Sequence, residues 1–278
     1  MEQSQQHMDF CLIIPCYNNF RGLIHSLQSI QYDTERFSVL IIDDGSTEPV
    51  LRADLLPHLS SPIDFIITRM PENAGITKAL NFGLNFVKSR YHAEFIARLD
   101  CGDTCAPERF YRQVQFLRQH PQIDLVGSWC LFKNPATGSS YQYRTATEHR
   151  KITRGMHFRN MFIHPTVMWR NEKRKTYPED FPHAEDYGFF YDMLNSGNCA
   201  VIAENLVICE INTEGISQRF RKEQLKSRMK VVKLYGKSNV FRMIGVIKLW
   251  MLLHIPYRLV LGAKHTLYGS QVLRPAGE

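Results

Sequence analysis

The chain has 278 residues, of which 44% are apolar and 12% are aromatic. This composition excludes a disordered or low-complexity chain, and the length suits one large domain or a domain with an appendage. The net charge of +7 is unevenly distributed, because residues 219–278 carry 13 Lys and Arg against 2 Asp and Glu. Residues 1–218 have a net charge of −4. The mildly acidic body and the basic tail therefore need separate explanations.

The distribution of charged residues and cysteines bears on the compartment. No segment free of charged residues is longer than 11 residues, so no membrane-spanning helix is predicted. The first ten residues lack a basic region followed by an apolar segment, so no secretory signal is predicted. Seven cysteines, an odd number without a C-x-x-C motif, favour buried reduced thiols over disulfides or a zinc site. We expect a protein that faces the cytosol.

The first 130 residues alternate short apolar runs with helical patterns. In chain order the pattern predicts β-α-β-β-α-β-α-β, with strands at 10–14, 37–42, 63–67, 95–99 and 123–126. Helices are predicted at 23–30, at 76–87 and from Pro107 onward, since proline suits the first position of a helix. Continuous apolar strands between helices indicate a mostly parallel sheet covered on both faces, hence an α/β fold.

The remainder of the chain is less regular. Residues 131–183 are predicted to be rich in loops, and a helical pattern near 185–195 is followed by short strands around 200–209. The composition changes near 215–220, where the basic tail begins. We therefore expect a catalytic or binding domain over residues 1–217 and a basic, amphipathic helical region over residues 218–278.

Polar residues follow four of the predicted strands. Each group by itself is typical of a turn or a helix cap. Ligands of open α/β sheets, however, bind beyond the carboxyl ends of the strands. Two acidic clusters and one lysine there fit a ligand with hydrogen-bond donors and a diphosphate held through a divalent cation. The groups are Pro15-Cys16-Tyr17-Asn18, Asp43-Asp44-Gly45-Ser46, Asn73-Ala74-Gly75 with Lys78, and Asp100-Cys101-Gly102-Asp103.

Two common nucleotide-binding motifs are absent from the sequence. It contains no G-x-x-x-x-G-K-[ST], which disfavours ATPases and kinases, and no G-x-G-x-x-G after the first strand, which disfavours dinucleotide binding. Phosphate groups would then have to be held by a metal ion and by Lys78.

In their order, these motifs resemble those of family 2 glycosyltransferases, which have the GT-A nucleotide-diphospho-sugar transferase fold. The run from Pro107 to Ser128, His164-Pro165-Thr166-Val167 and Glu185-Asp186-Tyr187 is similar to the bacterial members that build lipopolysaccharide or capsule. The likeness spans roughly residues 10–215. It implies transfer of a hexosyl or N-acetylhexosaminyl group from a nucleotide sugar, which we expect to be UDP-linked, to a hydroxyl of a growing glycan.

The resemblance also implies roles for individual residues. Pro15 and Tyr17 would lie along the base, Asp44 would bind uracil or ribose, and Lys78 would sit near the nucleotide together with Asn73 and Gly75. Asp100 and Asp103 would face ribose, a Mn²⁺ or Mg²⁺ ion and the diphosphate. Asp186 would be the catalytic base, with Glu185 orienting it or the acceptor. From spacing alone, this acidic pair is equally typical of a helix N-terminus.

The chain departs from the family at one position. The family commonly has D-x-D-D where this chain reads Asp100-Cys101-Gly102-Asp103, so Gly102 replaces the carboxylate usually assigned to the metal. Either Asp103 takes over that role or the metal is held more weakly or from elsewhere. His164 is a further candidate for a metal ligand or an acceptor contact, and a structural histidine is the alternative.

The basic tail contains two helical patterns. Residues 218–237 read as a basic helix, and residues 240–253 are mostly apolar except for a sector of about 120° that contains Arg242, Gly245 and Lys248. Such a helix either completes the core or lies in a membrane interface with its cations at anionic headgroups. Nucleic acid is disfavoured as a partner because the segment has no recognisable binding module.

Three functions follow from these interpretations. The first is an inverting glycosyltransferase that uses a nucleotide-sugar donor and a glycan or lipid-linked glycan acceptor. It would be cytoplasmic and peripheral on the cytoplasmic face of the inner membrane. The second is a sugar-1-phosphate nucleotidyltransferase, although the glycine-rich loop usual after its first strand is absent. The third is a non-catalytic protein that binds nucleotide sugars or organises a membrane complex.

Overall fold

The computed structural model describes residues 8–32, 36–59, 63–135, 138–211, 220–255 and 272–273. Over these residues the chain forms a mixed α/β structure around one extended sheet. Its strands are β1 (Met8–Cys16), β2 (Phe37–Asp43), β3 (Phe65–Arg69), β4 (Ala93–Arg98), β5 (Thr104–Cys105), β6 (Ile123–Lys133), β7 (Ser140–Tyr143), β8 (Met168–Arg170), β9 (Asn198–Glu210) and β10 (Val272–Leu273).

Helices connect and cover these strands. They are α1 (Phe20–Gln28), α2 (Arg52–Leu55), α3 (Ile76–Arg90), α4 (Arg109–Gln119), α5 (His149–Met156), α6 (Glu185–Ser196), α7 (Arg221–Tyr235) and α8 (Asn239–His254). Short 3₁₀ turns occupy Leu56–His58, His164–Thr166 and Asn171–Lys173.

The sheet is parallel at one side and mixed at the other. Its order is β10-β7-β6-β8-β4-β1-β2-β3, and β9 pairs with both β6 and β5. The pairs β1–β2, β1–β4 and β2–β3 are parallel, as the sequence predicts, and so is β6–β9. The antiparallel strand β8 joins β4 to β6. The α/β class is thus confirmed, with a sheet that is less uniformly parallel than expected.

Hydrophobic clusters cover both faces of the sheet. Along β1, Cys11 and Ile13 belong to one buried cluster, whereas Leu12 and Ile14 belong to the other. This alternation explains why the strands read as continuous apolar runs, since each successive side chain is buried on the opposite face. Helices α1 and α4 cover one face, and α3 and α6 cover the other.

The prediction for residues 131–183 is wrong in part. Strand β6 continues to Lys133, and β7, α5 and β8 lie within this segment. One 13-residue strand, β9, replaces the short strands expected around 200–209. The register between β6 and β9 shifts at Ser128 and again at Trp129. Such irregularities break the regular alternation from which strands are recognised in a sequence.

The last two helices of the described residues, α7 and α8, pack against the body. Leu225, Val231 and Val232 of α7, together with Leu249 of α8, belong to the same core cluster as α6. The predicted boundary at residue 217 lies outside the described residues, so the division into a domain and an appendage stays a prediction. Within the described part of the chain, no helix is both long and apolar enough to cross a bilayer.

Helix α8 turns an apolar face outward. Gly245 lies against the backbone of His157, where an added Cβ would come within 2.0 Å of the carbonyl oxygen, and Leu249 is buried. The opposite side of the helix is 44–60% exposed, although helices of soluble domains usually present polar residues there. This outward stripe consists of Val240, Met243, Ile244, Ile247, Trp250 and Met251.

Candidate active site

The ends of the parallel strands meet at one edge of the sheet. Cys16 of β1 lies beside Asp43 of β2, and Asp43 lies beside Arg69 of β3. Backbone bonds link the following loops, because the Asp44 amide donates to the Cys16 carbonyl and the Leu99 amide to the Ile13 carbonyl. The four polar groups that the sequence places after separate strands are therefore neighbours, as expected for the carboxyl edge of a parallel sheet.

Asp43 and Asp44 have different tasks although they are adjacent. Asp43 is fully buried and accepts hydrogen bonds from the amides of Ser46 and Val50 and from the Arg69 guanidinium. Burial by itself would raise the pKa of Asp43, but these hydrogen bonds outweigh it and the pKa is lowered. Asp43 thus holds the turn that presents Asp44.

The Asp44 carboxylate organises the next loop. Its two oxygens accept hydrogen bonds from the amides of Ala74 and Gly75 at 2.9 and 3.0 Å, and Oδ2 also accepts from Asn73 Nδ2 at 3.1 Å. The loop needs a glycine because Gly75 has a φ of +87°. The structure therefore brings Asp44, Asn73 and Gly75 into one unit at the start of α3.

The other residues expected near a nucleotide lie around this unit. Tyr17 is 49% exposed at the end of β1, whereas Pro15 is buried within that strand opposite Ile42. Lys78 is exposed on the first turn of α3. The exposed Tyr17 ring can stack on a nucleobase, and the exposed Lys78 can pair with phosphates. Both groups therefore suit a nucleotide that approaches from solvent.

The loop from Asp100 to Asp103 presents two unequal carboxylates. The Asp100 side chain is 42% exposed and pairs with Arg98 at 2.6 Å. Asp103 is 9% exposed, and its Oδ1 accepts from the Glu210 amide on β9 at 3.2 Å. Burial, and then the charge of Asp100, raise the pKa of Asp103 to about 7. Asp100 is therefore the accessible carboxylate, and Asp103 ties the loop to β9.

Gly102 has a backbone conformation that explains its presence. Its φ is +109°, which L-residues with a side chain rarely adopt. An added Cβ would meet only Asn19 Nδ2 at 3.5 Å, an ordinary contact. The backbone conformation of the loop therefore explains why glycine stands where the family usually has a carboxylate. A lack of space does not explain it.

Arg98 connects this loop to His164. The guanidinium is 1% exposed, and its Nε donates to His164 Nε2 at 3.2 Å while Nη2 pairs with Asp100. Burial and the charge of Arg98 keep the pKa of His164 well below its usual range, so the ring is neutral. Nε2 also lies 3.0 Å from the Tyr177 hydroxyl. This placement favours the alternative of a structural histidine.

Glu185 and Asp186 begin helix α6. Asp186 Oδ1 accepts from the Tyr187 amide at 2.6 Å, and Oδ2 accepts from Asn160 Nδ2 at 2.8 Å. Burial raises the pKa of Asp186 despite these bonds. Glu185 is 8% exposed, and burial followed by the Asp186 charge raises its pKa to about 7. Both expectations for the pair, a helix start and an acidic site, are compatible with this geometry.

The acidic pair and the Asp100 loop share one electrostatic environment. The charge of Asp100 contributes to the raised pKa values of both Glu185 and Asp186, and the Tyr177 hydroxyl is influenced by all three carboxylates. Residues that are 85 positions apart in the chain therefore influence one another's protonation. A carboxylate of the acidic pair could then accept a proton from a substrate whose other end is held at the strand ends.

The residues present fit a cation that is shared with a substrate, and they do not form a closed cage. No group of three or more His, Cys, Asp and Glu side chains suitable for a metal ion occurs among the described residues. Mg²⁺ and similar cations, however, are commonly held by one or two carboxylates together with substrate phosphates. Asp100 supplies an accessible carboxylate of this kind, and Asp103 follows three residues later in the same loop.

Sequence comparison identifies the family. The model of Glycosyl transferase family 2 matches residues 11–175, so the chain belongs to this family and is a glycosyltransferase. A protein of similar sequence is the amylovoran biosynthesis glycosyltransferase AmsE of Erwinia amylovora. It is 25% identical over 246 residues, which cover 86% of this chain and 89% of AmsE.

Solved structures confirm the GT-A type of fold. Residues 1–349 of S. aureus TarS in complex with UDP-GlcNAc superpose with a TM-score of 0.62 at 16% identity, covering 87% of this chain and 72% of that one. The mannosyltransferase PcManGT from Pyrobaculum calidifontis, in complex with GDP-Man and Mn²⁺, has a TM-score of 0.57 at 15% identity. That match covers 94% of this chain and 80% of the mannosyltransferase.

Two residues of the site are not singled out in the sequence. Arg98 is a charged residue at the end of an otherwise apolar run, and this interruption is a signal that could have marked it. Asn160 lies in a segment predicted to be a loop, and nothing in its local pattern indicates a bond to Asp186. Such a contact depends on how two distant segments pack.

Proposed function

We propose that this glycosyltransferase is an inverting enzyme that transfers a hexosyl or N-acetylhexosaminyl group from a nucleotide-diphospho-sugar to a hydroxyl of a growing lipopolysaccharide, capsule or related glycan. The observation that carries the proposal is the position of Asp186. Its carboxylate is held by Asn160, has a raised pKa and lies within electrostatic reach of the Asp100 loop. Inversion needs an acceptor hydroxyl that is activated on the face of the sugar opposite the leaving nucleotide, and this is the role that we assign to Asp186.

The donor binds at the carboxyl edge of the parallel strands. The exposed Tyr17 ring lies along the base, Pro15 is buried in β1 and supports this end of the strand, and the unit formed by Asp44, Asn73 and Gly75 contacts base or ribose. Lys78 adds a positive charge at the start of α3, where the helix dipole also favours phosphate.

A divalent cation, Mn²⁺ or Mg²⁺, would be held by Asp100, with Asp103 as a second carboxylate in the same loop. When bound, such a cation neutralises negative charge on the leaving diphosphate. Arg98 fixes the direction of the Asp100 carboxylate through their ion pair. His164 is left out of this set because its Nε2 already accepts a hydrogen bond from Arg98.

Asp186 is the proposed general base. A carboxylate within about 2.6–3.2 Å of the acceptor hydroxyl can take its proton as the new glycosidic bond forms. A raised pKa makes this carboxylate a stronger base than an ordinary aspartate. Glu185 is buried beside it and has a pKa of about 7, so it orients Asp186 or the acceptor.

The membrane surface is the proposed location of the acceptor. The outward apolar stripe of α8 stands near a helix, α7, whose exposed positions include Lys222, Lys226, Lys230 and Lys233. An apolar face flanked by lysines is typical of helices that lie in an interface with anionic lipids. A lipid-linked acceptor on the cytoplasmic face of the inner membrane fits this surface.

A hydrolysis screen tests the donor and the reaction class together. UDP- and GDP-linked hexoses and N-acetylhexosamines are each incubated with the full chain and Mn²⁺, and release of the nucleotide is followed. We expect slow hydrolysis of one donor, because water replaces the missing acceptor, and slower hydrolysis by Asp100→Asn at the same Mn²⁺ concentration. Absence of both hydrolysis and thermal stabilisation with every donor would contradict the proposal.

A further inference from the structure

A cavity of about 490 Å³ lies against the loop that carries Asn160, the hydrogen-bond partner of Asp186. It is formed by β7, the segment after α5 and helix α8. Its volume lies in the range of small-ligand sites, roughly 300–1,000 Å³. The residues that line it are Gln142, Tyr143, Arg144, Phe158, Arg159, Met161 and Lys248.

Positive charge converges on this cavity. Three of the described lining residues are cationic and none of them is acidic: Arg144, Arg159 and Lys248. Burial, and then the charges of Arg228 and Arg159, lower the pKa of Lys248, so the cations are close enough to repel one another. Holding like charges together costs free energy that an anion would recover.

Contacts within the cavity hold the cations in place. The Arg159 guanidinium lies 5.1 Å from the centre of the Tyr143 ring, and its Nη2 donates to the Arg144 carbonyl at 3.2 Å. Lys248 Nζ donates to the Phe158 carbonyl at 3.3 Å. Side chains that are already oriented lose less conformational entropy when a ligand binds.

The same loop serves the cavity and the candidate base. Phe158, Arg159 and Met161 line the cavity, whereas Asn160 between them donates to Asp186. The residues that would contact a molecule in the cavity thus include the immediate chain neighbours of Asn160, which positions the Asp186 carboxylate. None of the residues assigned to the donor is among the described lining residues, so a donor bound at the strand ends would leave the cavity available to the acceptor.

We propose that this cavity binds an anionic group of the acceptor, a phosphoryl or carboxylate group, and thereby positions the acceptor hydroxyl for Asp186. The inference rests on the proposed function and adds the chemical class of the acceptor to it. Arginine forks match the oxygen geometry of both groups, and three cations suit an anion of more than one charge. Lys248 lies on α8, the helix whose apolar stripe we place at the membrane, so a lipid-linked phosphate is one source and an acidic sugar of the glycan is the other.

Calorimetric titrations of the full chain test the proposal. UDP is first titrated, which examines the donor site independently, and is then kept saturating so that phosphate probes cannot occupy that site. Farnesyl diphosphate represents a lipid-linked phosphate, and methyl glucuronide represents an acidic sugar. We expect the wild-type chain to bind at least one probe, and Arg159→Gln/Lys248→Gln to bind it at least tenfold more weakly.

Two matched controls separate loss of charge from loss of structure. Arg159→Lys/Lys248→Arg keeps both charges and should retain binding within a few-fold, and Lys88→Gln removes an exposed charge from α3 and should bind as the wild type does. Selective binding of farnesyl diphosphate or of the glucuronide identifies the source of the anion, and either result supports the site. Equal binding by the wild type and the charge-removing variant, or binding of neither probe by the wild type, overturns the proposal. A failure to bind UDP would instead count against the proposed donor.

Discussion

Asn160 Nδ2 donates a hydrogen bond to Asp186 Oδ2 at 2.8 Å. This bond joins the loop after α5 to the first turn of α6, and it directs one oxygen of the carboxylate away from the Tyr187 amide that holds the other. A hydrogen bond to a carboxylate favours its charged form, which opposes the effect of burial on the pKa. The carboxylate thus remains a usable base in a partly buried position.

The first prediction concerns Asp186 itself. Asp186→Asn keeps the size of the side chain but removes the proton acceptor, so we expect turnover to fall by about 10²–10⁴-fold. Donor binding, measured by UDP titration, should change little because the nucleotide contacts belong to the strand ends. The measurement is a rate of transfer to acceptor at saturating donor.

A control on the same helix is available for this variant. Asp192 of α6 pairs with Lys175 and is 39% exposed, so Asp192→Asn removes a carboxylate of the same type away from the acidic pair. It should transfer sugar at the wild-type rate. Near-normal turnover by Asp186→Asn would show that another group takes the proton.

The second prediction concerns Glu185 and pH. The folded pKa of about 7 exceeds the ordinary value of 4.5, so the folded chain binds a proton that the unfolded chain releases between these values. The free energy of unfolding therefore falls as pH rises through this window. Glu185→Gln does not titrate, and we expect it to be more stable than the wild type at pH 8 by on the order of 2 kcal/mol.

Urea unfolding at pH 5 and at pH 8 measures this difference. At pH 5 the two chains should differ little, because the wild-type glutamate is then mostly protonated when folded. Glu172→Gln, which changes an exposed glutamate, provides a control and should follow the wild-type curve. An identical pH dependence in Glu185→Gln and in the wild type would contradict the prediction.

The third prediction concerns the backbone at Gly102. At a φ of +109°, Gly102→Ala introduces strain without a steric clash, and we expect a loss of about 1–2 kcal/mol. For a chain of this size that loss lowers Tm by roughly 2–4 °C. Gly102→Asp, which restores the residue usual in the family, should be destabilised to the same degree. Unchanged Tm values would show that the loop adapts freely.

The fourth prediction concerns the cation. We expect activity to fall in excess chelator and to return with Mn²⁺ or Mg²⁺, because few protein carboxylates surround the proposed ion and the affinity depends on the diphosphate. Asp100→Asn should raise the Mn²⁺ concentration needed for half-maximal activity. Full activity of the wild type in chelator would remove Asp100 and Asp103 from the role of metal ligands.

The fifth prediction concerns the outward stripe of α8. Ile247 and Trp250 are 48% and 55% exposed, so Ile247→Asp/Trp250→Asp should leave the fold intact. We expect it to reduce flotation with anionic vesicles at least tenfold, since apolar contact with the interface is lost and negative charge is added. These substitutions test the stripe more specifically than a deletion of residues 219–278 would, because the deletion would also remove buried Leu225 and Val231.

A matched control distinguishes membrane contact from a general effect of added charge. Leu51 and Leu56 flank α2 and are 53% and 50% exposed, so Leu51→Asp/Leu56→Asp adds the same two charges elsewhere. It should float with the vesicles as the wild type does. Equal flotation by the α8 variant and the wild type would contradict the role of the stripe.

Local sequence patterns predicted the elements of this protein that depend mainly on residues close together in the chain. The first parallel strands, their helices and the polar residues after each strand follow from apolar runs and from turn chemistry, because both reflect neighbours in sequence. The region from 131 to 183 was predicted less well. There β6, β7 and β8 are defined by pairing with strands far away in the chain, and short half-buried strands carry little periodicity of their own.

The same distinction holds for the site and the tail. The sequence by itself determined which carboxylates end the strands, the family that the motifs resemble and the contrast between an acidic body and a basic end. Only the tertiary structure decided that Asn160 holds Asp186, that Arg98 joins His164 to Asp100, and that α8 turns its apolar side outward. These outcomes depend on which surfaces pack together, and packing between distant segments leaves no mark in the order of residues within either segment.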